Sequence, residues 1–199
     1  MRIYALVFFI TGLVTFGTAC TGQHEHNGDH DHAAGTTADH QDEADMTATA
    51  TDPEFQRQLG AVTTAYLQLK DQLVAADAKA AGNAARDMNN KLGMVDMSLV
   101  KGDRHQEWMD YLRPLQTAAN QLTAATDLEG MRRTFSGLAE PLAAALNSFG
   151  KGDSPLYVQR CPMAFNNEGA NWISSEKAIR NPYFGDMMMS CGKVIETIQ

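Results

Sequence analysis

Between residues 53 and 149 the apolar positions recur at alternating intervals of four and three, the spacing that lays one stripe along one face of an α-helix. Phe55, Leu59, Val62, Tyr66, Leu69 and Leu73 form the first set. Ala81, Ala85, Met88, Leu92, Val95 and Leu99 form the second, and Trp108, Leu112, Leu115, Ala119 and Leu122 the third. Leu128, Met131, Phe135, Leu138, Leu142, Ala145 and Phe149 form the fourth. Asp52 and Asp127 stand where N-caps belong, and Pro53 suits a first helical position. The links "AAD" near residue 76, "KGD" at 101–103 and "TD" at 126–127 are short, which makes successive helices antiparallel neighbours. The pattern predicts an all-α, up-down four-helix bundle over residues 53–149. Pro114 and Pro141 fall inside helices three and four and predict a kink in each, and Gly150 in "FGKGD" predicts the last C-cap.

From Ser154 the period is lost. "LYVQ" reads as a short extended piece and "SSEKAI" as one helical turn capped by Ser174 or Ser175. "NPYFG" reads as a turn, and Asp186 as the cap of a short terminal helix from Met187 to Ile195. The expectation for residues 150–199 is an irregular, Cys/Met-rich segment that ends in that helix.

The N-terminus has a different character. Arg2 precedes the apolar run "IYALVFFITGLVTF", which is short for a spanning helix, and Gly17, Thr18 and Ala19 lead directly to Cys20. A small-residue site ending at cysteine resembles bacterial lipoprotein signals, although Gly17 stands where they usually have Leu. The resemblance implies a signal over 1–19, cleavage before Cys20, lipid on Cys20 and a membrane anchor in the periplasm or outer membrane. An ordinary cleaved signal with Cys20 incidental is the alternative.

Charge separates the next segment from the rest. The formal charge is -8, and eight of the 24 acids lie between Cys20 and Asp52, where there is no Lys or Arg. With the one base of the signal set aside, 16 acids face 15 bases from Pro53 onward, so the folded part is nearly neutral. Nothing in that balance suggests nucleic-acid binding, which wants a basic face. Residues 20–52 have no apolar period and read as a disordered His/Asp-rich tether. Within it His24, His26, His30 and His32 suit capture of Cu(II) or Zn(II), against the plainer reading of a solvated spacer.

Candidate chemistry in the folded part, residues 53–199, is sulfur. Thiolate and thioether are soft ligands that favour Cu(I). In "CPM" an extended chain puts Cys161 and Met163 on one side; in a terminal helix Met187 or Met188 shares a face with Cys191. Together they make a three- or four-sulfur site, closed by Trp172, Tyr183 and Phe184. The alternative is a Cys161–Cys191 disulfide, which would close a loop of about 30 residues and stabilise by about 3 to 4 kcal/mol in an oxidising compartment. Both readings stand at this point. Helices carry no Glu-x-x-His pair, His105 reads as a surface residue of helix three, and the helical methionines read as core filler. Without a Cys-x-x-Cys pair, a phosphate loop or a nucleophile elbow, a nonenzymatic role is expected.

Residues 157–194, "YVQRCPMAFNNEGANWISSEKAIRNPYFGDMMMSCGKV", closely resemble the end of a domain of unknown function found in Bacteroidetes-type bacteria. The resemblance rests on Cys161, Pro162, Met163, Ala164, Gly169, Trp172, Asn181, Pro182, Tyr183, Gly185, Met188, Cys191 and Gly192. That domain occurs as small exported proteins and fused to the C-terminus of periplasmic adaptor subunits of heavy-metal RND efflux pumps. Residues 54–149 are similar to it in layout and length. The resemblance implies copper- or silver-type cation handling with an efflux adaptor or pump as partner, and no established reaction. The expected protein is thus an exported, lipid-anchored, soft-metal-binding one linked to efflux. The competing expectation is a disulfide-stapled interaction module that docks on an adaptor and binds no metal.

Overall fold

The first and third predicted apolar stripes each lie on one helix of the computed structural model, which describes residues 50–199; the second and fourth are interrupted. The signal, Cys20, the tether up to residue 49 and its ligands His24, His26, His30 and His32 lie outside the described residues. Helix α1 (Pro53–Val74) starts where the Asp52 carboxylate accepts the Glu54 N–H at 2.8 Å, with Pro53 at the first position. All six predicted stripe residues of α1 are fully buried. Helix α2 (Ala78–Gly93) is capped by Asp77, whose carboxylate accepts the Ala80 N–H.

The second stripe was expected to continue in helix as far as Leu99, and it does not. Gly93 ends α2, and Asp96 starts a 3-10 turn (Met97–Leu99) by accepting the Ser98 N–H at 2.9 Å. Gln58 on α1 holds the new direction by accepting the Asp96 N–H at 2.7 Å. Local polar capping ends the helix while the hydrophobic period runs on, and Val95 stays buried.

Helix α3 (Asp103–Ala124) includes Pro114, as expected. Where one fourth helix was expected there are two, α4 (Leu128–Phe135) and α5 (Ala139–Phe149), joined by the 3-10 turn Ser136–Leu138. Asp127 caps α4 through the Gly130 N–H, and Gly150 ends α5. Pro141 explains the break: it has no N–H for the carbonyl of Gly137 four residues back, so the chain restarts and Pro141 falls in the first turn of α5. Helix α1 packs on α2, α2 on α3, and α3 on both α4 and α5, so the core is helical and bundle-like. Among the described residues no helix is long and apolar enough to cross a membrane.

The C-terminal segment is the larger departure. It forms a three-stranded antiparallel sheet, β1 (Leu156–Cys161), β2 (Ala170–Ser174) and β3 (Lys193–Ile198), in the order β2-β1-β3. "LYVQ" is extended as expected, but "SSEKAI" finishes β2 at Ser174 and then bends, with no helical turn. The expected terminal helix is replaced by a 3-10 turn (Gly185–Met187) and then β3, whose "KVIETI" is rich in β-branched residues. Strand β3 carries a bulge at Ile195, since Val158 pairs with Glu196 and Gln159 with Val194.

Strand β2 meets the helices through α5 and through Tyr66 of α1. The Tyr66 ring stacks on Phe135, with centroids 4.9 Å apart, and its hydroxyl accepts the Ile173 N–H at 3.0 Å. Burial pushes the Tyr66 phenol far above its ordinary range. Tyr66→Phe leaves the Ile173 N–H buried and unpaired, so it is expected to cost about 1 to 2 kcal/mol in denaturant unfolding. A cost near zero would show that this bond does not join sheet to helices.

Candidate functional site

Cys161 closes β1 opposite Ala170 and is fully buried. The chain then passes Pro162 and Met163 into a single helical turn, Ala164–Asn167, whose last three residues have φ of 52, 59 and 70°. Each L-residue in this left-handed region costs roughly 1 to 2 kcal/mol, least for the two asparagines. The turn returns the chain to β2.

The other cysteine arrives on the loop from Asn181 to Gly192. Asn181 is fully buried and fixes that loop with four hydrogen bonds. Its amide nitrogen donates to Cys191 O at 2.8 Å, and its side-chain oxygen accepts the Tyr183 N–H at 2.8 Å. Its backbone N–H donates to Met189 O at 2.9 Å and its carbonyl accepts the Gly185 N–H at 3.1 Å. The Cys191 N–H in turn donates to Met188 O at 3.0 Å.

These bonds deliver Cys191 Sγ to 3.0 Å from Cys161 Sγ, about 1 Å beyond the covalent S–S bond of roughly 2.05 Å. Both cysteines are free, and Cys191 is half-buried. Contact with Cys161, and then burial, push the Cys191 thiol above its ordinary range; the Met163 N–H, donating to the sulfur, acts the other way. Trp172 is fully buried against Gly192, the neighbour of Cys191, and Tyr183 meets its ring edge-on at 5.8 Å. The Tyr183 hydroxyl donates to Asn171 O in β2, and burial raises that phenol as well.

The methionines gather elsewhere. Met163, Met187 and Met188 line a cleft of about 510 Å³ with Phe165 and Phe184, and neither cysteine is part of its lining. Of the expected three- or four-sulfur site, the two thiols meet at 3.0 Å, and the three methionines line a cleft whose lining omits both cysteines. The expected helical pairing of Met187 or Met188 with Cys191 is absent, because residues 188–192 are not helical. Tyr183 and Phe184 close the cleft, whereas Trp172 packs on Gly192 next to the thiols. Arg132 and Arg133 form a wall of the cleft; Arg133 lies over the Phe165 ring, 4.6 Å from its centroid, and Arg132 Nε is buried without a partner. With Glu129 also in the lining, two guanidiniums against one carboxylate leave the cleft net positive, which makes the thiol pair the better soft-metal donor set.

Among the described residues no three or more His, Cys, Asp or Glu side chains converge as a metal site. Among the described residues the two thiols gain no third His, Cys, Asp or Glu ligand toward the four that zinc prefers. Two sulfurs are the donor type a soft monovalent ion of low coordination number takes, but at 3.0 Å they would have to move apart to hold one between them, since metal–sulfur bonds are roughly 2.3 Å. His105 is half-buried on α3, its Nδ1 within 3.2 Å of Val100 O and 3.3 Å of Met97 O, where it can donate to a carbonyl. The role of Asn181 was not legible beforehand: the only local signal was Asn before Pro, which marks a turn and says nothing of burial.

The model of the family described as "Protein of unknown function (DUF3347)" matches residues 62–154, from within α1 to just before β1. The match takes in most of the helical part; the sulfur-rich segment lies beyond it. No curated protein and no solved structure matches the chain.

Proposed function

We propose that this is an exported, lipid-anchored protein of the periplasm or outer membrane that binds a copper-type soft ion and takes part in heavy-metal efflux or homeostasis. The observation that carries the reading is the meeting of Cys161 and Cys191, 30 residues apart in sequence, at 3.0 Å. Cys161 and Cys191 are the proposed Cu(I) ligands, and the ion is cargo. Met163, Met187 and Met188 offer neutral thioethers in the adjoining cleft, two of them well exposed. His24, His26, His30 and His32 add Cu(II) or Zn(II) capture, and Cys20 the lipid. The link to an efflux adaptor or pump rests on the resemblance of residues 157–194. The role is binding and not catalysis.

The same approach of the sulfurs favours a second reading, a disulfide that staples the sheet of an interaction module which binds no metal. Titration of the fully reduced protein with Cu(I) against a chromogenic chelator separates the two. The protein is expected to withdraw one Cu(I), and Cys161→Ser or Cys191→Ser to abolish the withdrawal. If reduced protein takes no Cu(I), the metal reading fails and the staple remains. Removal of residues 24–32 is expected to lower Cu(II) and Zn(II) retention without changing Cu(I).

A further inference from the structure

We infer that Cys161 and Cys191 form an exchangeable dithiol–disulfide couple in which Cys191 meets an external disulfide first and Cys161 resolves it. The two thiols differ in access. Cys161 is fully buried at the end of the central strand, while Cys191 is half-buried on a loop. A small disulfide therefore reaches Cys191 before Cys161.

The two thiols are also brought together by forces that need no bond between them. Cys191 is held through its carbonyl by Asn181 Nδ2 and through its N–H by Met188 O. Gly192 is wedged against Trp172 and Arg160 O, and Cys161 is set by its register with Ala170. The reduced pair is thus already placed for closure, and reopening the bond leaves the loop supported. That separates an exchangeable couple from a staple whose removal releases the segment.

The chemistry balances as two exchanges. The Cys191 thiolate attacks a low-molecular-weight disulfide such as oxidised glutathione, forms a mixed disulfide and expels one glutathione thiolate. The Cys161 thiolate then attacks the Cys191 sulfur, closes the internal disulfide and expels the second. Two protein thiols are oxidised and one glutathione disulfide is reduced, with the two thiol protons passing to water. Closure occupies both sulfurs, so it also empties the Cu(I) site; that consequence rests on the metal reading above, and the order of attack does not.

The test uses reduced wild-type full-length protein without metal. Brief labelling with N-ethylmaleimide, mapped peptide by peptide, is expected to modify Cys191 about tenfold faster than Cys161. Oxidised glutathione is expected to give the internal disulfide in wild type, a stable glutathione adduct on Cys191 in Cys161→Ser, and almost no adduct in Cys191→Ser. Equal labelling, faster labelling of Cys161, or a wild-type adduct that never resolves would overturn the inference. The wild-type labelling needs no variant to fold. Ordered exchange without Cu(I) uptake would sink the metal reading alone; Cu(I) uptake by thiols that oxidised glutathione leaves untouched would sink this inference alone.

Discussion

Asn181→Ala is expected to lower stability by about 3 kcal/mol and to slow closure of the Cys161–Cys191 pair. The substitution removes both side-chain hydrogen bonds of a fully buried residue. The part-buried Cys191 O and the buried Tyr183 N–H then lose their partners, at roughly 1 to 3 kcal/mol each, the lower end applying to Cys191 O. Released from the amide, Cys191 moves off the position that puts its sulfur 3.0 Å from Cys161. Denaturant unfolding measures the first effect, and the rate of disulfide formation with oxidised glutathione the second. Asn181→Asp sharpens the test. Its carboxylate still accepts the Tyr183 N–H but has no proton for Cys191 O. Burial raises its folded-state pKa above the unfolded value, so it binds a proton more tightly folded than unfolded and its deficit should shrink as pH falls. A variant as stable as wild type at neutral pH would show that Asn181 is not the clamp.

Gly192→Ala is expected to have an effect of the same order, about 3 kcal/mol, by a different route. Gly192 has φ of +146°, a conformation L side chains rarely adopt. A Cβ there would lie 2.8 Å from Trp172 Cη2 and 3.0 Å from Arg160 O. Neither neighbour yields easily: Trp172 is fully buried against Tyr183, and Arg160 O belongs to the backbone of the central strand. Gly152→Ala is the control. It also has positive φ, +85°, but its Cβ would meet nothing within 4 Å, so only the conformational cost of roughly 1 kcal/mol remains. Equal losses at the two positions, read from unfolding midpoints, would mean that close packing at Gly192 contributes nothing.

Both predictions fall on residues whose importance is set by distant partners, and that is where sequence reading ran short. Helices were legible because their hydrogen bonds and stripes are local: Asp52 and Asp127 cap the helices assigned to them, and the stripe of α1 is buried throughout. Errors arose where a local exception cut a regular period, at Gly93 and Asp96 and again at Ser136–Leu138 before Pro141. Of the strands, only part of β1 was legible, as the extended "LYVQ"; β2 and β3 were not, for a stronger reason. Strand β1 pairs with β2 across a short turn and with β3 from the far end of the segment, and no window of sequence contains both partners.

The sulfur residues follow the same division. Sequence alone determined which side chains carry soft-ligand chemistry, and left a Cys161–Cys191 disulfide and a shared metal site as open alternatives. It also determined the helical core that supports them, because a 3.6-residue period needs no knowledge of the rest of the chain. Tertiary structure decided that the two thiols meet while the thioethers of Met163, Met187 and Met188 line a separate cleft. It decided too that Asn181 and Gly192 hold the meeting point. Such contacts depend on where a sheet and a loop close over one another, and closure is a property of the whole folded segment, with each residue contributing only a part of it.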